Sequence, residues 1–271
     1  MNYKEIAKEI RRTVLSMIHK AQVSHIGSNF SAIDIFTVLY SKADFKKDKL
    51  VVSKGWIAAS IYAFGVKYGL CPQEAVDTFC DGKSKYIGLI EPLGFFGAEI
   101  AGGSMGLGLP GAVGLALGKK LKGEEGRVYV LMSDGELQCG TTWESALIAA
   151  HHKLNNLMVI VDYNGLQAMG RIEDILNLTN YEAGRYVFDL EEKEYDLQKK
   201  FESFGWHVCK VPGHDYKLLE DRLKFMPTDG PKLVIANTIK GKGVSFMENQ
   251  NLYHYKQLSD EEYKKAIEEL K

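Results

Sequence analysis

Two polar residues about 30 positions apart, Asp134 and Asn164, each follow an apolar run closely and each precede a glycine. Around them residues 128–170 read VYVLMSDGELQCGTTWESALIAAHHKLNNLMVIVDYNGLQAMG. A carboxylate, an amide oxygen and a free backbone carbonyl are hard oxygen ligands. Together they suit Mg2+ or Ca2+, with Mg2+ usually completed by phosphate and water oxygens. Gly135 would let a phosphate approach the backbone N–H groups that open the next helical segment. Taken singly, Asp134-Gly135 and Asn164-Gly165 are more often ordinary turns. Their pairing at this spacing is what points to a ligand.

The elements that must position the pair are legible in the same stretch. Residues 128–132 and 157–161 are short apolar runs, predicted as buried parallel strands, and residues 141–152 between them have helical composition. This is one β-α-β unit, and in parallel sheets ligands sit beyond the carboxyl ends of the strands. Both polar clusters fall there. The prediction is an α/β chain with a central, mostly parallel sheet and helices on both faces. Further helices are expected at residues 3–22, from Ser31 (a capping-box-like start) to Tyr40, and at 73–80, 195–204, 214–225 and 260–270. Further strands are expected at 50–53, 206–211 and 231–238. Residues 171–188 read as a polar surface excursion.

The spaced pair resembles the thiamine-diphosphate motif, and more closely the diphosphate-binding, N-terminal part of transketolase, with Ser133 in place of the motif's usual first glycine. The resemblance runs over nearly the whole chain. It implies that Asp134, the Asn164 side chain and the Leu166 carbonyl hold Mg2+ (or Ca2+), and that Gly135 offers its N–H to the diphosphate. It places Glu136 among the cofactor-binding residues and turns the Gly103 carbonyl and Met105 towards the thiamine. Lys240, in a Lys-Gly-Lys-Gly run, would contact the cofactor. His25 matches a substrate-facing loop histidine, and His254 one that contacts diphosphate and substrate. Without the family context, each has a plainer reading: a solvated loop histidine, a core methionine, a basic turn.

Three positions depart from the family pattern. Trp56 stands where a histidine usually follows Ser-Lys-Gly; it has one N–H donor and no basic nitrogen, so it cannot shuttle a proton. It reads equally as narrowing the site or as filling the core. Glu91 falls, in a loose match, near a second substrate-facing histidine. Cys139 replaces a glutamate that, with the match to Glu144, would form a hydrogen-bonded chain between two active sites. A literal G-x-G-x-x-G, Gly106 to Gly111, offers a competing dinucleotide-binding reading, but the residues before it make no convincing strand.

The chain of 271 residues has net charge -1 and four widely spaced cysteines. These values give no support to nucleic-acid or membrane binding and fit reduced thiols in the cytoplasm. The length suits a single diphosphate-binding domain over residues 1–271. By resemblance to split transketolases, a second subunit would carry the pyrimidine-binding domain in a heterotetramer. The implied activity is transfer of a two-carbon ketol unit from a ketose to an aldose. The departures point to a non-standard sugar or sugar phosphate. A keto-acid decarboxylase or acyloin synthase subunit, a nicotinamide-dependent dehydrogenase and a non-catalytic regulatory subunit are the alternatives.

Overall fold

Five strands, apolar at most positions, form the centre of the fold in a computed structural model that describes residues 2–177 and 196–271. In chain order the strands are β1 (Lys49–Val52), β2 (Val128–Ser133), β3 (Leu157–Tyr163), a small hairpin β4 (Leu166–Gln167) and β5 (Gly170–Arg171), β6 (His207–Pro212) and β7 (Lys232–Asn237). The sheet order is β1-β2-β3-β7-β6, and every neighbouring pair is parallel. Ser133 lies opposite Asp162, and Tyr163 opposite Asn237, so the carboxyl ends of the three central strands open on one edge.

Side chains alternate across this sheet, as the period of a strand requires. Tyr129, Leu131, Met158, Ile160, Val234 and Ala236 face a layer built by α1 (Tyr3–Ala21), α2 (Ile26–Lys42), α3 (Ala58–Lys67) and, further along the chain, α9 (Tyr216–Lys224) and α10 (Asp260–Glu269). Val128, Val130, Met132, Val159 and Val161 face the opposite layer, built by α5 (Gly108–Lys122), α6 (Gly140–His151) and α8 (Asp196–Ser203). The single turns α4 (Glu74–Asp77) and α7 (Ile172–Ile175) lie outside both layers' main helices. The predicted α/β sheet with helices on both faces is therefore the fold observed. Of the excursion predicted at 171–188, residues 178–188 lie outside the described residues, as does the predicted start of a helix at Tyr195.

The element boundaries follow local chemistry. α5 ends at Gly123 in the left-handed region (φ 67°), whose N–H caps the Lys119 and Lys120 carbonyls. α9 starts at Asp215, whose side chain accepts from Leu218 N–H, and α10 at a Ser259–Glu262 capping box. The predicted helix start at Ser31 is corrected. α2 begins at Ile26, directly after His25 at φ 72°, and Ser31 lies inside it with its hydroxyl donating to Asp162 Oδ2 at 2.6 Å. Every residue from Ile26 to Tyr40 is buried, so no exposed face existed to mark the helix's period. The one-turn α4 is also shorter than the helix predicted at 73–80. Residues 99–107 before α5 form no strand, which removes the dinucleotide fingerprint's required context.

Loops at the carboxyl edge are packed backbone to backbone. Ile90 N–H donates to the Gly55 carbonyl at 3.1 Å, and Gly102 N–H to the Ile90 carbonyl at 2.9 Å. A Cβ on Gly55 would fall 2.1 Å from Gly103 N, a clash with main chain that no rotamer relieves. Gly55→Ala is therefore expected to destabilise the fold by more than about 2 kcal/mol. Gly114→Ala, within α5 where an added methyl meets nothing within 4 Å, is expected to be neutral or to stabilise by up to about 1 kcal/mol. Paired thermal melts of the two variants check both.

Candidate active site

β2 ends in Ser133, and a tight helical turn, Asp134–Gln138, follows. Ser133 and Glu136 form a capping box. Glu136 is fully buried, and its carboxylate does more than cap. One oxygen accepts from Ser133 N–H at 2.8 Å; the other accepts from the Ser53 hydroxyl and from Gly106 N–H at 3.2 Å. One side chain thus joins the tips of β1 and β2 to the glycine loop before α5. All its oxygens are occupied by the protein, so Glu136 lines the cleft as a brace and not as a free ligand.

Asp134 is 1% exposed. Its Oδ2 accepts from Asn164 N–H at 3.0 Å and Gly165 N–H at 2.6 Å, and its Oδ1 from Gly135 N–H at 2.9 Å. The predicted meeting of the two strand tips is therefore direct. The Gly135 N–H expected to face a diphosphate is turned onto Asp134 in this structure. Asn164 Oδ1 accepts from Leu166 N–H at 3.1 Å, which fixes the amide's orientation. The Leu166 carbonyl accepts from Lys240 Nζ at 3.2 Å. Burial, and then the nearby Asp162 carboxylate, push the Asp134 carboxyl above the usual carboxylate range. A hard divalent cation beside Asp134 would offset both effects, and the donor set of carboxylate, amide oxygen and carbonyl has the right chemistry for one. Among the described residues no three His, Cys, Asp or Glu side chains converge, so a cation here would rely on this mixed set. The residues fit the group.

Asp162 is the second buried acid at this edge. It accepts from Lys54 Nζ at 2.6 Å, from Ser31 Oγ at 2.6 Å and from the Thr238 hydroxyl. Burial pushes its carboxyl up, but Lys54 together with the Ser31 and Thr238 hydroxyls more than offsets this and holds it below the ordinary range. Lys54 also donates to the Ser28 carbonyl at 3.0 Å. Lys240, 1% exposed, is no solvated turn: its Nζ lies 2.6 Å from His254 Nδ1. An ammonium can only donate, so His254 Nδ1 accepts and the imidazole proton sits on Nε2.

The mouth of the cleft is aromatic. His25 stacks on Trp56 with ring centroids 5.1 Å apart and planes 10° from parallel, and packs edge-on to His254 at 4.9 Å. Tyr255 meets both histidines. Trp56 is 48% exposed, so it belongs to the cleft wall and not to the core. Ser24 Oγ pairs with His25 Nδ1 at 2.6 Å, and His25 N–H donates to the His254 carbonyl at 3.0 Å. Burial, then the charges of Lys240 and Lys54, lower the His25 pKa to about 4. Burial, then Lys240, His25 and Lys54, lower that of His254 to about 3.

The cleft brings together His25, Trp56, Gly103, Met105, Asp134, Gly135, Glu136, Asn164, Leu166, Lys240 and His254, all singled out in the sequence. Met105 is exposed beside Gly135, where a Cβ would come within 3.0 Å of its Cε. Glu91 does not line the cleft. Its neighbour Ile90 is buried and knitted to Gly55 and Gly102 through its main chain. Cys139 packs against the Gly106 turn, and Glu144 is exposed on α6. The four cysteines are free thiols. Sequence reasoning missed Ser53, Lys54, Gln167 and Tyr255 in the cleft and the bracing role of Asp162. An acid closing an otherwise apolar strand, and a lysine just past another, were the available signals.

Residues 2–270 match the family described as transketolase, thiamine diphosphate binding domain. This chain belongs to the transketolase family. It is 35% identical over 285 residues to one of the subunits of an apulose-4-phosphate transketolase from Actinobacillus succinogenes, spanning 100% of this chain and 98% of that protein. It is 30% identical over 275 residues to a 6-deoxy-6-sulfo-D-fructose transketolase subunit of a Clostridium species, spanning 97% and 94%. Its fold superposes on the transketolase of Campylobacter jejuni with a TM-score of 0.86 at 28% identity, covering 100% of this chain and 43% of that one. The transketolase-type domain thus accounts for the described sheet and both helical layers. No helix among the described residues is long and apolar enough to cross a membrane.

The two depressed histidines have a measurable consequence. Unfolded, each would take up its proton near pH 6.5; folded, His25 holds off until about 4 and His254 until about 3. The unfolded chain therefore binds more protons in this window, and the histidines' contribution, complete above pH 6.5, is lost as the pH falls through it. Urea unfolding at stepped pH is expected to show stability declining below about pH 6.5, with a shallower decline in His25→Asn.

Proposed function

We propose that this chain is the diphosphate-binding subunit of a thiamine-diphosphate- and Mg2+-dependent transketolase, moving a two-carbon ketol unit from a ketose to an aldose. The observation that carries the reading is the convergence of Asp134, the Asn164 amide oxygen, the Leu166 carbonyl and the Lys240 ammonium at one sheet edge. Asp134, Asn164 and Leu166 would hold the metal. Lys240 would hold the diphosphate, with His254 presenting Nε2–H. Gly103 and Met105 would line the thiamine side. When bound, the cofactor supplies the nucleophilic carbon and the electron sink for breaking a carbon–carbon bond next to a carbonyl.

The chain's own residues orient and gate. His25 and His254, neutral at physiological pH, would hydrogen-bond substrate hydroxyls without bringing charge into the cleft, and His254, whose Nδ1 is taken by Lys240, would do so as an Nε2–H donor. Glu136 and Asp162 hold the strand tips in register around the diphosphate site. Residues 1–271 are read as one diphosphate-binding domain. Its counterpart, with the pyrimidine-binding domain, would lie on a second subunit, the two pairing as a heterotetramer. The names of the relatives as subunits, and the 98% span of one of them, support this. The free thiols suit a reducing compartment such as the cytoplasm.

The substrate is proposed to be a non-standard sugar or sugar phosphate. Trp56 carries this alone, since Glu91 lies off the cleft: an indole stacked on His25 narrows the mouth and offers a flat apolar face where the family pattern has a basic ring. The relatives' named substrates, apulose-4-phosphate and 6-deoxy-6-sulfo-D-fructose, are themselves unusual sugars.

The test mixes the chain with its partner and assays cofactor-dependent ketol transfer over a panel of ketose donors. Asp134→Ala is expected to weaken thiamine diphosphate binding about 100-fold or more, measured by calorimetry with Mg2+. Equal binding would remove the metal-site reading. Trp56→His is expected to move relative kcat/KM towards ordinary pentose phosphates by about tenfold. If the unsubstituted enzyme already prefers those, the substrate reading fails.

A further inference from the structure

The loop carrying Lys240 is tethered through its backbone at four successive residues. Ile239 N–H donates to His214 Nε2 at 2.8 Å. The Lys240 carbonyl accepts from Asn249 N–H at 2.8 Å, and Gly241 N–H donates to the Gly27 carbonyl at 3.0 Å. The Lys242 carbonyl accepts from Arg11 Nε at 2.8 Å. The first and last of these tethers lead to the same buried acid. Arg11 reaches Asp34 with two N–H groups, at 3.0 and 2.8 Å; His214 Nδ1 lies 2.6 Å from Asp34 Oδ2; and Tyr216 OH donates to Asp34 Oδ1 at 2.7 Å.

This network fixes a tautomer. Because His214 Nε2 accepts from Ile239, its ring proton sits on Nδ1 and is donated to Asp34. Burial pushes the Asp34 carboxyl up, but Arg11 and the His214 hydrogen bond more than offset it, so Asp34 is an ionised acceptor. Neither Arg11, Asp34 nor His214 lines the cleft. They lie behind it, on α1, on α2 and just before α9. The Lys240 side chain, meanwhile, runs closely over α2: a Cβ on Gly27 would come 3.2 Å from Lys240 Cγ. With so little slack, a small shift of the loop backbone displaces the ammonium from the Leu166 carbonyl and His254.

We infer that His214 and Arg11, both anchored on Asp34, are positioning residues that set the backbone of residues 239–242 and so aim the Lys240 ammonium at the diphosphate. The inference rests on the cofactor reading above and adds residues that never touch the cofactor. Buried ion pairs are a weak source of net stability, so a network that ends on one N–H and one carbonyl of a single loop is better explained by placement.

Two substitutions at one position separate placement from mere support. In His214→Asn the amide nitrogen can stand in for Nδ1 and keep Asp34, but the side chain is too short to reach Ile239. In His214→Gln the amide oxygen can stand in for Nε2 and keep Ile239. Arg11→Lys, which keeps a charge beside Asp34 but loses the Nε donor to Lys242, is the second route. Affinity for thiamine diphosphate with Mg2+ is measured by calorimetry on the chain assembled with its partner, with melting temperature alongside.

His214→Asn is expected to weaken binding about tenfold, the size of one lost buried hydrogen bond. His214→Gln should restore affinity to within about threefold, and Arg11→Lys should shift it in the same direction as His214→Asn. In a Lys240→Met background, His214→Asn should cost nothing further, because the residue it acts through is gone. Lower melting temperatures with unchanged affinity, or an equal loss with and without Lys240, would overturn the inference while leaving the cofactor reading intact. If His214→Asn does not assemble, the same cycle with Arg11→Lys decides. No binding by the unsubstituted assembly would sink the cofactor reading and this inference with it.

Discussion

Buried negative charge governs this structure. Three carboxylates, Asp134, Glu136 and Asp162, are withdrawn from water at the carboxyl ends of β2 and β3. An ionised group in such a place is costly unless hydrogen bonds or an opposite charge compensate it. Glu136 is answered by hydroxyl and backbone donors from three segments, and Asp162 by Lys54 with two hydroxyls. Both are thereby scaffold. Asp134 has only N–H groups as hydrogen-bond partners; burial pushes its carboxyl up, as it does that of Glu136, and only Asp162, paired with Lys54, is held below the ordinary range. Of the three, Asp134 is the one without a cationic or hydroxyl partner.

The loops and helices around the edge can be read as the means of meeting that demand. α2, packed against α1, α3 and α9, is buried on all sides; it carries Ser31 to Asp162 and starts directly after His25 of the cleft. The glycine loop before α5 approaches the β1 tip so closely that Gly55 and Gly102–Gly103 touch through their main chains, and Glu136 then ties that loop to β2. Behind the cleft, the Asp34 network performs a similar service for the segment after β7. Precision at Lys240 and His254 is thus inherited from contacts made in the interior, as sites placed on rigid elements require.

Much of this was legible in the residues. The central β-α-β unit was marked by two apolar runs and a helical interval, and the pairing of Asp134 with Asn164 followed from their places at the strand ends. Within a parallel sheet those signals are local and strong. What escaped was tertiary. A fully buried helix has no polar face, so the expected start of α2 at Ser31 falls five residues past the true one at Ile26, and a side chain used across the fold resembles a cap. Glu136 falls among the cofactor ligands by resemblance, although its oxygens are spent on the protein. Trp56 could have been core or wall, since bulk and apolarity are equally at home in both; its exposed face, beside the stacked His25, separates them. Glu91 rested on a loose match to the family pattern, and spacing gave no means of seeing that it lies off the cleft.

The strand order has a consequence for how the molecule comes into being. β7 lies between β3 and β6, so the middle of the sheet is incomplete until the residues from Lys232 onward have joined it. Lys240 and His254 arrive later still, although Asp134 and Asn164 are made long before them. A growing chain can form the β1-β2-β3 portion early, yet it exposes the flank of β3 until β7 inserts. The edge that carries Asp134 therefore gains its Lys240 ammonium only after β7 has been made.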